Sequence, residues 1–164
     1  MRKNTFKKLT ALLLVLMLVL SSVPITASAA EVLLTGNDLD GYFVNMPKTG
    51  TDTLDLSDKA AGFTFKVYDD GGPEADYSSN CDGYLQITAR SGCLIQISGS
   101  GNAESTSYDW LSIYDGSDYS APTLGGDENG KYSGRPFTVS PQLSSGNVIT
   151  LWFSSDYSAA LRWM

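Results

Sequence analysis

The sequence NVITLWFSSDYS, residues 147–158, is mostly apolar up to Phe153 and then becomes polar. Successive side chains of a β-strand point to opposite faces, so Ile149, Leu151 and Phe153 share one face. We expect this face to lie in the core. The opposite face is formed by Val148, Thr150 and Trp152.

Short runs of the same kind recur from residue 31 onward, between segments rich in Gly, Asp, Ser and Pro, and no helical periodicity interrupts them. We predict strands at 42–46, 51–56, 62–68, 84–89, 93–98, 108–114, 136–139 and 147–153. Ile95 with Ile97, and Leu111 with Ile113, are predicted inner pairs. Residues 115–135 have no periodicity and predict a surface loop. The number of strands favours an all-β, two-sheet sandwich.

The first 29 residues have the three parts of a secretory signal peptide in order: basic residues at the start, the apolar run LTALLLVLMLVL and the small residues Ala27-Ser28-Ala29. The apolar run, residues 9–20, is shorter than the roughly 20 apolar residues that a membrane-spanning helix needs. We therefore predict cleavage after Ala29 and a secreted or extracellular location, with no retained transmembrane segment.

The predicted mature chain is strongly acidic. Removal of the signal peptide takes four of the 11 basic residues and none of the 18 acidic ones, which changes the formal net charge from −7 to −11. A basic patch is the usual mark of a nucleic-acid-binding protein, so nucleic acid is excluded as a main partner. The chain has no His, no nucleophile elbow and no phosphate-binding loop, and we expect no enzymatic activity.

Two cysteines, Cys81 and Cys93, occur in this predicted exported chain, a context that favours disulfides. Cys81 precedes one predicted strand and Cys93 begins the next. Their sulfurs should therefore lie about one strand length apart, beyond the reach of a disulfide bond. We expect a buried Cys93 and a free or intermolecular Cys81.

Acidic side chains occur beside the predicted strands. Glu104 and Asp109 lie near the two ends of the segment AESTSYD, and Asp156 follows the last strand. Calcium takes six to eight oxygen ligands, and loops at one end of a sandwich can bring such carboxylates together. The alternative is that Asp109 and Asp156 are solvated turn residues, a common role of Asp. The residues alone leave both interpretations open.

Three segments in a fixed order resemble the CUB domain family, particularly its members in bacterial secreted proteins. They are VYDDGGPEADYSSN (67–80), AESTSYDWLSIYDG (103–116) and NVITLWFSSDYS (147–158). The resemblance covers roughly residues 62–164 and leaves 30–61 as a leader strand with turns. It implies a jelly-roll-like sandwich of two antiparallel sheets that is extracellular, non-catalytic and used for protein or carbohydrate recognition.

The resemblance also implies a calcium site. In many family members the metal is held by an acidic residue before a YD motif, by the Asp of that motif and by the Asp of an F-x-SD motif. These positions correspond to Glu104, Asp109 and Asp156, with Ser158 as a helping ligand. Tyr77 corresponds to a tyrosine that supports the acidic cluster through a hydrogen bond.

Three functions follow as alternatives. The first is adhesion or recognition at a cell surface, in which the acidic end, with Tyr108 and Tyr157, contacts a Lys or Arg of a protein ligand. The second is carbohydrate binding, and the third is a ligand-free spacer within a longer surface protein. The aromatic residues available for stacking on sugars in the second are Tyr108, Trp110, Tyr119 and Trp152. Trp110 and Trp152 could instead be covered by a neighbouring loop.

The end of the chain departs from the family pattern. After SDYS the family continues with a Gly-aromatic pair and a final strand, whereas this sequence ends with AALRWM. We expect the final strand to be truncated and the chain to be a piece of a longer surface protein.

Overall fold

The computed structural model describes residues 30–34 and 42–158. The predicted signal peptide and the predicted truncation after Ser158 lie outside these residues. In the described part, the one helical segment is a single 3-10 turn, Gly72–Glu74. The strands are β1 (Ala30–Leu34), β2 (Phe43–Asn45), β3 (Thr49–Leu56), β4 (Lys66–Tyr68), β5 (Asp82–Ala89), β6 (Cys93–Ala103), β7 (Trp110–Tyr114), β8 (Lys131–Tyr132), β9 (Gly134–Leu143) and β10 (Val148–Ser154).

The strands form an all-β sandwich with open sheets. The larger sheet has the order β3-β5-β10-β7-β8, the second has the order β1-β6-β9, and β2 pairs with β4 in a small third sheet. Strand β10 lies between β5 and β7 and pairs antiparallel with both. The segment 147–158, which contains β10, therefore contributes the central strand of the larger sheet.

The core lies between the two larger sheets. Ile149, Leu151 and Phe153 of β10 are at most 1 % exposed, which confirms the predicted inner face. The predicted inner pairs are also buried, with exposures between 0 % and 8 %. Strands β5 and β9 add Leu85, Ile87, Phe137 and Val139 to the same hydrophobic cluster. Burial of these side chains is the main favourable contribution to folding.

All eight predicted strands are present, with shifted ends. Strand β6 continues to Ala103, and two bulge-like register shifts keep this Gly-rich extension paired with β9. Strand β8 lies inside the predicted loop 115–135. It forms because the buried Tyr132 lies opposite Leu111 of β7. Tertiary pairing rather than local sequence therefore defines both of these segments.

The expectation of purely antiparallel sheets is wrong for the outer strands. Strand β1 pairs parallel with β6, β3 pairs parallel with β5, and β2 pairs parallel with β4. Alternation shows which face of a strand is buried, but it carries no information about the direction of the neighbouring strand. Residues 49–56, within the predicted leader, thus form an edge strand along the whole of β5.

The two cysteines are free, and both are buried. This confirms the expected buried Cys93 and, of the two alternatives for Cys81, agrees with the free thiol. Its Sγ donates to the Ser78 carbonyl oxygen at 3.0 Å and to Asp70 Oδ1 at 3.3 Å. Within residues 30–34 and 42–158, no helix has the length and apolar character needed to cross a membrane.

Candidate metal and ligand-binding site

Strand pairing brings three separate segments to one end of the larger sheet. The register places Ser154 of β10 opposite Trp110 of β7 and opposite Asp82 of β5. The residues just beyond these positions therefore become neighbours. They belong to segments 77–81, 104–109 and 155–158.

Backbone hydrogen bonds hold two of these segments together. Asn80 N donates to the Asp156 carbonyl oxygen at 2.6 Å, and Ser155 N donates to the Cys81 carbonyl oxygen at 3.0 Å. The buried Ser155 hydroxyl accepts from Cys81 N at 2.9 Å and donates to the Ser78 carbonyl oxygen at 2.9 Å. These contacts fix the chain direction after β10, so that Asp156 follows at a defined position.

The three predicted acidic ligands meet at this end. Glu104, Asp109 and Asp156 each offer a carboxylate oxygen, and these oxygens lie within 4.8 Å of one another. Asp109 is fully buried, whereas Glu104 and Asp156 are partly exposed. The cluster could hold a metal ion, with one side open to solvent.

Asp109 is the inner member of the cluster. A turn in which Tyr108 N and Asp109 N both donate to the Ser105 carbonyl oxygen, each at 2.9 Å, presents it directly before β7. Its Oδ1 accepts from Asp156 N at 2.9 Å, and its Oδ2 accepts from the Tyr77 hydroxyl at 2.6 Å. Each carboxylate oxygen has about two acceptor positions, so both oxygens retain capacity for a metal.

Tyr77 lies beneath the cluster, in the predicted supporting position. Its ring packs edge-on against Phe153 with centroids 4.9 Å apart, and the residue is 1 % exposed. Burial, followed by the hydrogen bond to Asp109, raises the pKa of the Tyr77 hydroxyl far above its ordinary value. The tyrosine therefore remains a neutral hydrogen-bond donor to Asp109 at physiological pH.

Asp156 has a second role, as a turn residue. Its Oδ1 accepts from Ser158 N at 2.7 Å and from the Ser158 hydroxyl at 2.9 Å. The turn interpretation and the ligand interpretation of Asp156 are therefore compatible. Ser158, predicted as a helping ligand, directs its hydroxyl to Asp156 and orients that carboxylate.

Arg135 is a member of the site that sequence reasoning missed. Its guanidinium lies 3.9 Å from Glu104 Oε1 in a partly exposed ion pair. The pairing of Ala103 in β6 with Gly134 in β9 makes the two side chains neighbours. No local pattern in the segment SGRPF predicts this contact, because the contact depends on the register between two strands.

The charges of the site favour a bound cation. Three carboxylates converge, and within the described residues one guanidinium lies within ion-pair distance of them. Two like charges about 4 Å apart repel by about 4 kcal/mol at an effective dielectric constant near 20. The donor set consists of oxygen atoms, which suits calcium or magnesium better than softer metals.

Two aromatic residues flank the acidic cluster and extend into solvent. Tyr108, which precedes Asp109, is 52 % exposed, and Tyr157, which follows Asp156, is 80 % exposed. These are the two tyrosines predicted to contact a ligand.

Comparison with models of protein families finds none that matches this chain, and comparison with curated proteins finds no match either.

Proposed function

We propose that the chain is a secreted, non-catalytic recognition module of CUB type whose acidic end binds calcium. The observation that carries the proposal is the convergence of Glu104 and Asp109 with Asp156 from a second segment, with Asp109 fully buried. A buried carboxylate is unfavourable unless it is hydrogen-bonded and its charge is compensated. Calcium would compensate this charge.

The proposed ligand is a protein that presents Lys or Arg side chains. A cation on the partner can approach the partly exposed Glu104 and Asp156, and the exposed rings of Tyr108 and Tyr157 can border it. Aromatic faces attract cations, and a strongly acidic surface accelerates the encounter with a basic partner. Calcium would hold the acidic loops in place for this contact.

Calcium binding is tested by thermal unfolding of the full chain in calcium and in EGTA. With a Kd of about 10⁻⁴ to 10⁻³ M, typical of extracellular calcium modules, about 10 mM calcium stabilises the folded state by about 1.4 to 2.7 kcal/mol. This corresponds to a rise in Tm of several degrees. Asp156→Asn should abolish the rise. Asp127→Asn is the control, because Asp127 is an exposed loop residue that lies outside the cluster.

The recognition function is tested with poly-L-lysine as the probe. Asp156→Asn and Asp127→Asn each remove one negative charge, so general attraction predicts the same loss of binding for both. The proposal instead predicts a larger loss for Asp156→Asn and a dependence on calcium. Equal losses, or a melting temperature unaffected by calcium and EGTA, would show that the acids are ordinary turn residues.

A further inference from the structure

The outer face of the larger sheet, which points away from the core, carries an unusual set of aromatic side chains. In a sheet packed on one side, this face is normally solvated and polar. Here Tyr84 of β5 lies directly opposite Trp152 of β10, and Trp110 of β7 lies opposite the neighbouring Ser154. We call Tyr84, Trp110, Trp152 and the nearby Tyr119 the aromatic platform.

The rings of the platform contact one another in sequence. Tyr84 and Trp152 are nearly parallel, with an interplanar angle of 12° and centroids 5.3 Å apart. This separation means that the two rings overlap only in part. Trp110 meets Trp152 edge-on at 5.9 Å, and Tyr119 lies 6.3 Å from Tyr84. Tyr84, Trp110 and Trp152 are partly exposed, and Tyr119 is 68 % exposed.

A hydrogen bond orients the Trp152 indole, and a cation lies over the Trp110 ring. Trp152 Nε1 donates to Asp82 Oδ1 at 2.8 Å, which holds this ring on the sheet. The ammonium group of Lys131 lies 3.4 Å from the ring centroid of Trp110. Within the described residues, the buried Trp110 Nε1 has no hydrogen-bond partner, a state that costs about 1 to 3 kcal/mol.

A loop borders the platform on one side. Gln86 Nε2 donates to the Ser117 carbonyl oxygen at 2.7 Å, and the Thr150 hydroxyl donates to the Gly116 carbonyl oxygen at 2.8 Å. Both donors belong to the outer face, so the loop crosses that face next to the rings and carries Tyr119. On the other side the register places the exposed Thr51 and Thr53 of β3 beside Tyr84 and Gln86.

The chemistry of this surface matches a neutral carbohydrate. The exposed parts of the rings are apolar, and around them lie hydroxyl, amide and carboxylate groups that can exchange hydrogen bonds with sugar hydroxyls. Among the described residues, Asp82 contacts the Trp152 indole and Lys131 contacts the Trp110 ring, and these two charges are opposite. The charges in contact with the rings therefore give no net preference for a charged ligand, which favours a neutral one.

We propose that the aromatic platform is a binding surface for a neutral polysaccharide, separate from the acidic end. A chain of sugar rings would lie across Tyr84 and Trp152 between the loop that carries Tyr119 and the threonines of β3. This surface needs no metal, so its binding is independent of calcium.

The test measures binding of the full chain to cellulose, chitin, β-1,3-glucan and mannan, with co-sedimentation and tryptophan fluorescence as readouts. We expect binding to at least one of these polymers, equal in calcium and in EGTA. Trp152→Ala should weaken binding about tenfold or more, the effect of losing one aromatic anchor. Tyr119→Ala, in the exposed loop, provides a second platform variant that is not expected to disturb folding.

Phe43→Ala is the matched control, because Phe43 is an exposed aromatic residue on the small third sheet. This variant should bind as the unchanged chain does. Absence of binding to all four polymers would overturn the proposal, as would equal binding by the folded Trp152→Ala, Tyr119→Ala and unchanged chains. Binding that requires calcium and is lost in Asp156→Asn would assign the sugar to the acidic end and also overturn it.

Discussion

At the scale of single residues, the contact between Tyr77 and Asp109 links the hydrophobic core to the acidic cluster. It joins a buried hydroxyl to a buried carboxylate, 32 positions apart in sequence, through a 2.6 Å hydrogen bond. A hydrogen bond to a charged group contributes more than one between neutral groups. The pair therefore connects the core, through Phe153, to the acidic cluster.

Tyr77→Phe removes the hydroxyl and retains the ring. We expect a loss of about 1 to 3 kcal/mol in the free energy of unfolding, because Asp109 Oδ2 loses its donor while it remains buried. Urea unfolding at neutral pH measures this loss. Tyr157→Phe is the control and should change stability by less than about 0.5 kcal/mol, since Tyr157 is exposed. Equal effects of the two substitutions would contradict this account of Tyr77.

The candidate site was partly predictable at this scale. Family resemblance indicated Glu104, Asp109 and Asp156, and the structure brings these three together. Arg135 was not predictable, because it reaches Glu104 through the pairing of β6 with β9. The place of Tyr84 in the aromatic platform was not predictable for a similar reason, because it depends on the register that pairs Tyr84 with Trp152.

At the scale of elements, the approach of β3 to β5 depends on a glycine. At Gly83 a Cβ atom would overlap the carbonyl oxygen of Pro47, which precedes β3. Backbone cannot move aside as easily as a flexible side chain. The absence of a side chain at Gly83 therefore permits the parallel pairing that begins with Thr49 opposite Asp82.

Gly83→Ala should destabilise the fold by about 2 kcal/mol or more, as expected when a side chain overlaps fixed backbone. Gly99→Ala is the matched substitution in another strand, β6. No atom lies within 4 Å of a Cβ placed at Gly99, and we expect that substitution to be neutral or to stabilise by up to about 1 kcal/mol. Chemical denaturation of both variants checks the comparison. A smaller loss for Gly83→Ala than for Gly99→Ala would refute it.

Strand prediction succeeded where alternation and burial agreed and failed where pairing alone creates the strand. The inner face of β10 was predictable because three apolar residues recur at a period of two. Strand β8 has two residues, too few for any period, and it exists because β7 offers a partner. The Gly-rich end of β6 is paired for the same reason.

At the scale of the whole molecule, one thiol and three tyrosine hydroxyls have a raised pKa. Burial raises the pKa of Cys81 from 9.0 to about 11, and burial also raises the pKa of the hydroxyls of Tyr77, Tyr84 and Tyr132. In each case the folded state favours the protonated form. These groups contribute fully to the free energy of unfolding at a pH below their pKa in the unfolded state. This contribution is lost as the pH rises toward their pKa in the folded state.

Stability should therefore fall as the pH rises from about 9 to about 11, because the unfolded chain releases protons that the folded chain retains. Urea midpoints across this range measure the fall. Cys81→Ala should give a shallower dependence on pH between about pH 9 and about pH 11, because it removes one of the groups concerned. Added salt screens the repulsion among the acidic groups and so reduces the share of the pH dependence that comes from it. The share that comes from the buried thiol of Cys81 remains. An unchanged slope in Cys81→Ala would contradict the assignment.

The sequence by itself determined the all-β class, the positions of the main strands and the identity of the inward-facing residues. These features are local, because alternation and turn residues act over a few positions. Only the tertiary structure decided the parallel direction of β1, β2 and β3 relative to their partners, the small third sheet and the place of Arg135 beside Glu104. The same is true of the aromatic platform. All of these features depend on which strands pair and in which register, and that choice is made by burial of the whole core rather than by any one segment.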